Sequence, residues 1–217
     1  MPSLPAELDR LLHDLRGPLN SAVMHVEVLR RASAADPAAK QSVDIVADQL
    51  QRLAVMLPAV FDVVALEVRA TSVVSLRDIA LGARTETESE DAVLAEGPWP
   101  NVVGDVRLLT TAAAHLLRNA VAATRAAGVR RPAPRLSADV TEDGRAALRV
   151  RDWGVGLKST NPKVLVRFGV TSDSMSPRGR GIGLLATERI ARLHGGALQF
   201  NQLAEGAEVV LTLPLAG

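Results

Sequence analysis

Two long stretches near the start of the chain repeat apolar residues at alternating spacings of four and three positions. The first runs through Leu8, Leu12, Leu15, Leu19, Ala22, Val26 and Leu29. The second runs through Val43, Val46, Leu50, Leu53, Leu57, Val60 and Val64. A period of about 3.5 residues keeps one apolar seam facing a neighbouring helix, so each stretch predicts a long helix. The turn around Ser33 to Pro37 is short, which predicts antiparallel neighbours. One such hairpin has little to pack against, and pairing two of them in a homodimer as a four-helix bundle closes the core. Packing of the hairpin on the rest of its own chain is the alternative. Pro18 and Pro58 each remove a backbone donor and predict a local bend, which Gly17 eases at the first site.

From about residue 71 the pattern changes to alternating strands and helices. Residues 72–76 and 92–95 read as strands with a helix from about Arg77 between them. A short strand at 101–103 precedes a long helix over 106–126. Residues 135–141 and 145–151 predict a hairpin turning on Glu142-Asp143-Gly144. A helix is expected over 183–193, stopped by Gly195-Gly196, and strands at 198–201 and 208–213 close the sheet. The expected fold class is therefore α+β. A helical hairpin over 1–69 is followed, over 70–217, by an α/β sandwich with its helices on one face of the sheet.

Composition narrows the function. Of 217 residues, 47% are apolar and 23% charged, which is globular rather than disordered composition. A net charge of +1 gives no global basic field, and 2% aromatic residues leave little for stacking on bases, so no nucleic-acid partner is expected. The absence of cysteine removes disulfides, thiolate metal sites and thiol nucleophiles, and suits a reducing compartment. No uninterrupted apolar run reaches the length of a membrane span, and MPSLPAELDR lacks the basic start and apolar run of a secretory signal. A cytoplasmic protein with no membrane span is expected.

Three groups of residues carry candidate chemistry. His13 stands one position after Leu12, so it flanks the seam and its imidazole is expected to reach solvent. The carboxylate of Asp14 beside it can accept a proton from one ring nitrogen and leave the other as a nucleophile. Taken alone, it is an ordinary surface histidine. The second group is glycine-rich: Asp152-Trp153-Gly154-Val155-Gly156-Leu157 ends a predicted strand, and Gly179-Arg180-Gly181-Ile182-Gly183-Leu184 opens a predicted helix. Glycines let backbone N–H groups approach phosphate oxygens, and a helix N-terminus adds favourable partial charge. Their placement fits neither a Rossmann fingerprint nor a GxxxxGK[ST] loop. The third group is His115-Leu116-Leu117-Arg118-Asn119-Ala120. His115 and Asn119 share a helix face, and the Asn119 oxygen could hold Mg²⁺ together with nucleotide phosphates. A zinc role for His115 has no second and third ligand spaced nearby.

Together the motifs resemble the catalytic core of a bacterial two-component sensor histidine kinase, with its phosphoacceptor hairpin and GHKL-type ATP-binding domain. HDLRGPLN resembles the phosphoacceptor box, HLLRNA the asparagine box, DWGVGL the first glycine box, RFGVTS the phenylalanine box and GRGIGL the second glycine box. All five occur in the family's order across nearly the whole chain. The resemblance implies that residues 1–69 dimerise and carry the phosphoacceptor, and that 70–217 bind ATP. It implies that His13 attacks the γ-phosphate, with Asp14 as general base and Arg16 steadying phosphate charge. Asn119 would ligate Mg²⁺, and Asp152 would accept a hydrogen bond from the adenine amino group, with Gly154 and Gly156 letting the base lie close to the backbone. Residues 158–178 would form a lid anchored by Phe168. Gly179, Gly181 and Gly183, followed by Leu184, would pass close to the phosphates. The implied partners are a second copy of the chain and the receiver domain of a response regulator, whose aspartate takes the phosphate.

The chain also departs from that pattern. Gly17 stands where many members carry the Thr or Asn that positions water for dephosphorylating the partner. Ala122 stands where a Lys often follows the asparagine box, His115 replaces a common Asn, and Trp153 fills a position often small or polar. Only twelve residues precede His13, so the signal is expected either from the rest of a longer protein or from a separate sensor protein. The junction at 68–72 and the bend at Gly17-Pro18 are the expected points of movement. Two other functions share parts of the pattern. A histidine phosphotransferase would need the hairpin but not the glycine boxes, and a non-catalytic nucleotide-binding regulator would need the boxes but not HDLR.

Overall fold

Asp36 opens the second N-terminal helix by accepting hydrogen bonds from the backbone N–H groups of Ala38 (3.0 Å) and Ala39 (3.3 Å), with Pro37 at the first helical position. The computed structural model describes residues 5–32, 36–128, 130–157, 160–161 and 182–217, without the side chains of residues 5–16, 18, 32, 52, 55 and 56. It divides into two units, Met1–Leu66 and Glu67–Gly217. In the first, α1 (Pro5–Ala32) packs on α2 (Pro37–Val64), which runs through Pro58. Three residues of the predicted seams are about half exposed in the single chain: Leu29 at 53%, Val46 at 48% and Leu53 at 47%. Among the described residues, no helix is long and apolar enough to cross a membrane.

The second unit mixes helix and sheet. Its strands are β1 (Ser72–Ser75), β2 (Val93–Leu94), β3 (Asn101–Gly104), β4 (Arg135–Val140), β5 (Arg145–Arg151), β6 (Ala197–Gln202) and β7 (Ala207–Pro214). Its described helices are α3 (Leu76–Thr87), α4 (Val106–Ala126) and α5 (Gly183–Leu193). Five strands form one sheet in the order β2-β4-β5-β7-β6, with β2 parallel to β4 and every other pair antiparallel. The expectation of a single sheet is corrected, because β1 and β3 pair only with each other as a separate antiparallel ribbon. An isolated bridge from Val102 to Leu215 links that ribbon to the end of the chain. The strand expected over 92–95 also shortens to β2, because the Ala92 N–H is taken by the Ser89 carbonyl in a turn.

Strand alternation and helical periodicity meet in one core. Leu136, Ala138, Ala146, Leu148, Val150, Leu211 and Leu213 lie on the buried positions of the central strands. Leu108, Leu109, Ala112, Ala113, Leu116 and Leu117 do the same on α4, which packs against α3, α5 and β5. The opposite side of the sheet mixes buried Ala147 and Val210 with charged residues. Arg149 on β5 makes a two-pronged pair with Asp139 on β4 (2.9 and 3.2 Å) and also reaches Glu208 on β7 (3.4 Å). The Arg149 side chain is 27% exposed, so we count this network at no more than about 1 kcal/mol per pair.

The start of α4 is tied down more firmly. Asp105 caps it by accepting from Leu108 N–H (3.3 Å), and its other oxygen accepts from Arg69 N–H (3.2 Å) and Arg107 (3.4 Å). Its own N–H donates to Nε2 of His194 (3.0 Å), whose Nδ1 donates to the Ile190 carbonyl (2.8 Å), so both ring nitrogens are used in joining the end of α5 to the start of α4. Burial alone pushes the Asp105 carboxyl upward, but the backbone donors and the Arg107 charge outweigh it and hold the group below its ordinary 3.8. Asp105→Ala is expected to destabilise the second unit by about 1–3 kcal/mol, measured by denaturant unfolding. Because the folded carboxyl is depressed, its contribution is present above the unfolded value and lost as pH falls through the lower folded one. The wild-type and variant midpoints should therefore converge in acid.

Candidate functional site

β5 ends at Arg151, and the next residue turns its carboxylate inward. Asp152 is 9% exposed; its N–H donates to the Ala207 carbonyl (2.9 Å) and its Oδ1 accepts from Gly154 N–H (2.8 Å) and Ala207 N–H (3.2 Å). Among the described residues Oδ2 has no hydrogen-bond partner. Burial raises this carboxyl above its ordinary 3.8, against the opposing pull of the two backbone donors and of Arg151. One oxygen is thus committed to holding the loop, and the other is an acceptor suited to a ligand N–H.

The rest of the loop is stitched to two elements. Trp153 N–H donates to Thr124 Oγ1 on α4 (3.2 Å), and the Arg151 guanidinium lies 4.9 Å from the centre of the Trp153 ring. Gly154 presses on the same helix, where an added methyl would lie 2.9 Å from the Ala123 side chain and 3.0 Å from its carbonyl oxygen. Gly156 has φ of 85°, and the Gln202 side chain occupies the space its Cβ would take. Leu157 N–H then donates to Gln202 Oε1 at 2.7 Å.

The second glycine element reaches the same helix one end further up. A methyl on Gly183, the first residue of α5, would lie 3.3 Å from Nδ1 of His115, and α5 begins without a side-chain cap. Leu184 follows in its first turn and is half-buried. His115 Nδ1 lies 3.1 Å from the Arg118 guanidinium. A guanidinium can only donate, so Nδ1 is the bare nitrogen and Nε2 carries the proton. Burial, then the Arg118 charge, lowers the imidazole to about 4, which keeps it neutral at pH 7.

His115, Asn119 and Ala123 recur every four residues, so they form one stripe about 12 Å long on α4. One end of the stripe meets Gly183 and the other meets Gly154. Asn119, between them, is exposed and unpaired among the described residues. The structure thus sets Gly154 and Gly183 against the α4 stripe that carries Asn119, with Asp152 hydrogen-bonded to Gly154, while Gly156 lies against Gln202 of β6. Among the described residues no three His, Cys, Asp or Glu side chains could hold a metal ion, so a cation at Asn119 would need ligand oxygens to complete its shell.

Other expected residues fall elsewhere. The side chains of His13, Asp14 and Arg16, and all of 158–159, 162–178 (with Phe168), Gly179 and Gly181, lie outside the described residues. Thr124, Gln202, Gly206 and Ala207 join the site from outside the motifs. Only Gly206 carries a signal in the sequence, as the turn glycine before β7, with φ of 75° and no room for a Cβ beside the Asp152 carbonyl.

An α/β layer with a glycine loop at the end of a central strand and a polar stripe on the facing helix is the architecture of an ATP-binding domain. Residues 104–217 match the family described as histidine kinase-, DNA gyrase B- and HSP90-like ATPases, and the chain belongs to that family. Membership implies ATP binding. Among solved structures, full-length ShkA in complex with AMPPNP superposes with a TM-score of 0.56 at 22% identity over 98% of this chain and 46% of ShkA. The ATP-binding domain of PrrB from Mycobacterium tuberculosis gives 0.50 at 24% identity, over 69% of this chain and 100% of that one. The mycobacterial sensor histidine kinase MprB gives 0.52 at 21% identity, over 67% and 98%. These likenesses establish the fold, and the chain spans less than half the length of ShkA. No curated protein matches the chain. Family and fold together support the resemblance to a sensor histidine kinase catalytic core.

Proposed function

We propose that the chain is an ATP-dependent protein histidine autokinase that phosphorylates His13 and passes the phosphate to an aspartate of a response-regulator receiver domain. The observation that carries the nucleotide half is the α4 stripe, with exposed Asn119 lying between the Gly183 and Gly154 contacts and Asp152 beside the latter. In this reading Asp152 Oδ2 accepts from the adenine amino group, and the uncapped start of α5 faces the phosphates. Mg²⁺, when bound, neutralises phosphate charge beside the Asn119 oxygen. His115, neutral and held by Arg118, adds no competing positive charge and carries its proton on Nε2.

The phosphoacceptor half rests on the HDLRGPLN sequence. A ring nitrogen of His13 forms a bond to the γ-phosphorus as the bond to the bridging oxygen breaks and ADP leaves. Asp14 takes the ring proton, and Arg16 offsets the charge on the transferring group. Residues 158–178, with Phe168, cover the nucleotide, and Gly179 and Gly181 pass close to its phosphates. The half-exposed seam residues Leu29, Val46 and Leu53 support a homodimer closed by a second hairpin. The protein acts in the cytoplasm, where receiver domains lie, taking its signal from a sensor elsewhere in a longer chain or on a separate protein.

The test is calorimetric titration with a non-hydrolysable ATP analogue. Binding should require Mg²⁺, and Asn119→Ala should weaken the Mg²⁺-supported affinity at least tenfold while barely changing any metal-free binding. Tight binding indifferent to both Mg²⁺ and Asn119 would remove the assignment.

A further inference from the structure

The loop over 152–157 is held in two halves by different means. Its first half is fixed by the Asp152 bonds to Gly154 and Ala207 and by the bond from Trp153 to Thr124. Among the described residues, its second half is fixed by one side chain. Gln202, the last residue of β6, accepts from Leu157 N–H at 2.7 Å and donates to the carbonyls of Leu203 (2.9 Å) and Gly206 (3.1 Å). The amide cannot be turned over, since its oxygen would then face two carbonyl oxygens and its nitrogen would face an N–H. Gly156 completes the fit: a Cβ there would lie 2.4 Å from Gln202 Nε2, so only a glycine lets the amide lie across the loop.

We propose that Gln202 is a positioning residue for the nucleotide, clamping the loop that follows Asp152 to the β6–β7 turn. This rests on the ATP-site reading given above. Gln202 touches no reacting atom in that reading. It sets the path of Gly156 and Leu157, from which the chain passes to the segment assigned as the lid. The β6–β7 turn is well suited to this, because Gly206 also lies directly against the Asp152 carbonyl. The acidic end of the adenine site and the clamp therefore share one turn.

Gln202→Met keeps the shape and removes all three hydrogen bonds. In the unliganded full chain, exchange of the Leu157 amide hydrogen, read by NMR, should accelerate about tenfold or more, while the thermal midpoint changes little. Affinity for a Mg²⁺-loaded ATP analogue should fall about tenfold, the loss of roughly one net hydrogen bond. Gln202→Glu gives a second readout. At pH 8 its carboxylate faces the Leu203 and Gly206 carbonyls and affinity should fall at least as far. As pH falls and the introduced carboxyl takes up a proton it regains one donor, so the ratio of variant to wild-type dissociation constants should shrink. A Gln202→Met chain with faster exchange but unchanged affinity would overturn the proposal, as would unchanged exchange at Leu157. If the wild-type chain itself binds no analogue, the ATP-site reading fails and takes the clamp's nucleotide role with it. That result is recognisable because it needs no variant.

Discussion

Incubated with labelled ATP and Mg²⁺, the chain is expected to acquire a label that is lost in acid, and His13→Gln is expected to abolish it. The expected loss is complete, since a glutamine side chain offers no nucleophilic nitrogen of comparable strength. His25 supplies the control. It lies on the same helix and is exposed, yet lacks the neighbouring Asp and Arg. His25→Gln should keep the label. Affinity for the ATP analogue should be equal in all three chains, because His13 lies in the first unit and the proposed nucleotide contacts lie in the second. Label persisting in His13→Gln would reject the phosphoacceptor assignment without touching the nucleotide site. Label absent from every chain, with analogue binding intact, would favour a nucleotide-binding regulator.

The second large effect falls on Asp152. Asp152→Asn should weaken analogue binding on the order of a hundredfold, because a charged acceptor is lost and an amide donor is set against the adenine amino group. Stability should move the other way. Burial raises this carboxyl above its ordinary 3.8 in the folded chain. Its contribution to stability is then fully present below the unfolded value and is lost as pH rises through the folded one. Asparagine keeps an oxygen for the Gly154 and Ala207 N–H groups and carries no charge to desolvate. At pH 7 the variant should unfold at the same temperature as the wild type or higher, while failing to bind. A joint fall in both properties would show that the carboxylate is a structural element of the loop. Wild-type affinity should also decline as pH falls and Asp152 takes up its proton, and it should do so at a higher pH than an ordinary aspartate would require, because burial raises this carboxyl.

Much of the second unit was legible because several signals agree on the same residues. The helix expected over 106–126 is found at Val106–Ala126, its apolar positions at helical spacing, and the structure adds Asp105 as its cap. The hairpin of β4 and β5 follows from alternation on both sides of Gly144, whose φ is 73°. Strand partners were less accessible. Val73 and Val103 read correctly as strand residues, but alternation does not say which strand lies alongside, and they pair with each other away from the main sheet.

The candidate site shows the same division. DWGVGL and GRGIGL announce a close backbone approach, but not what approaches. At Gly154 the neighbour is Ala123, at Gly156 it is Gln202, and at Gly183 it is His115. Each of these lies far away along the chain, and none belongs to a short motif with its glycine. The resemblance implies that Gly154 and Gly156 make room for a base and that Gly183 passes close to phosphates. In the described structure they make room first for the protein's own side chains, which hold the loop in the shape a ligand would meet. Thr124 had no signal at all, since a threonine in a helix gives no hint that its hydroxyl serves a distant N–H.

The Arg151–Trp153 pair gives the molecule a built-in optical gauge. The chain has two tryptophans and no tyrosine, so its near-ultraviolet emission comes from two indoles. The Trp99 indole N–H donates to the Ala95 carbonyl at 3.2 Å. In a Trp99→Phe chain the remaining chromophore would sit next to Asp152 with a cation against its face, and filling or emptying that neighbourhood would be visible as a change of colour and intensity without any attached dye.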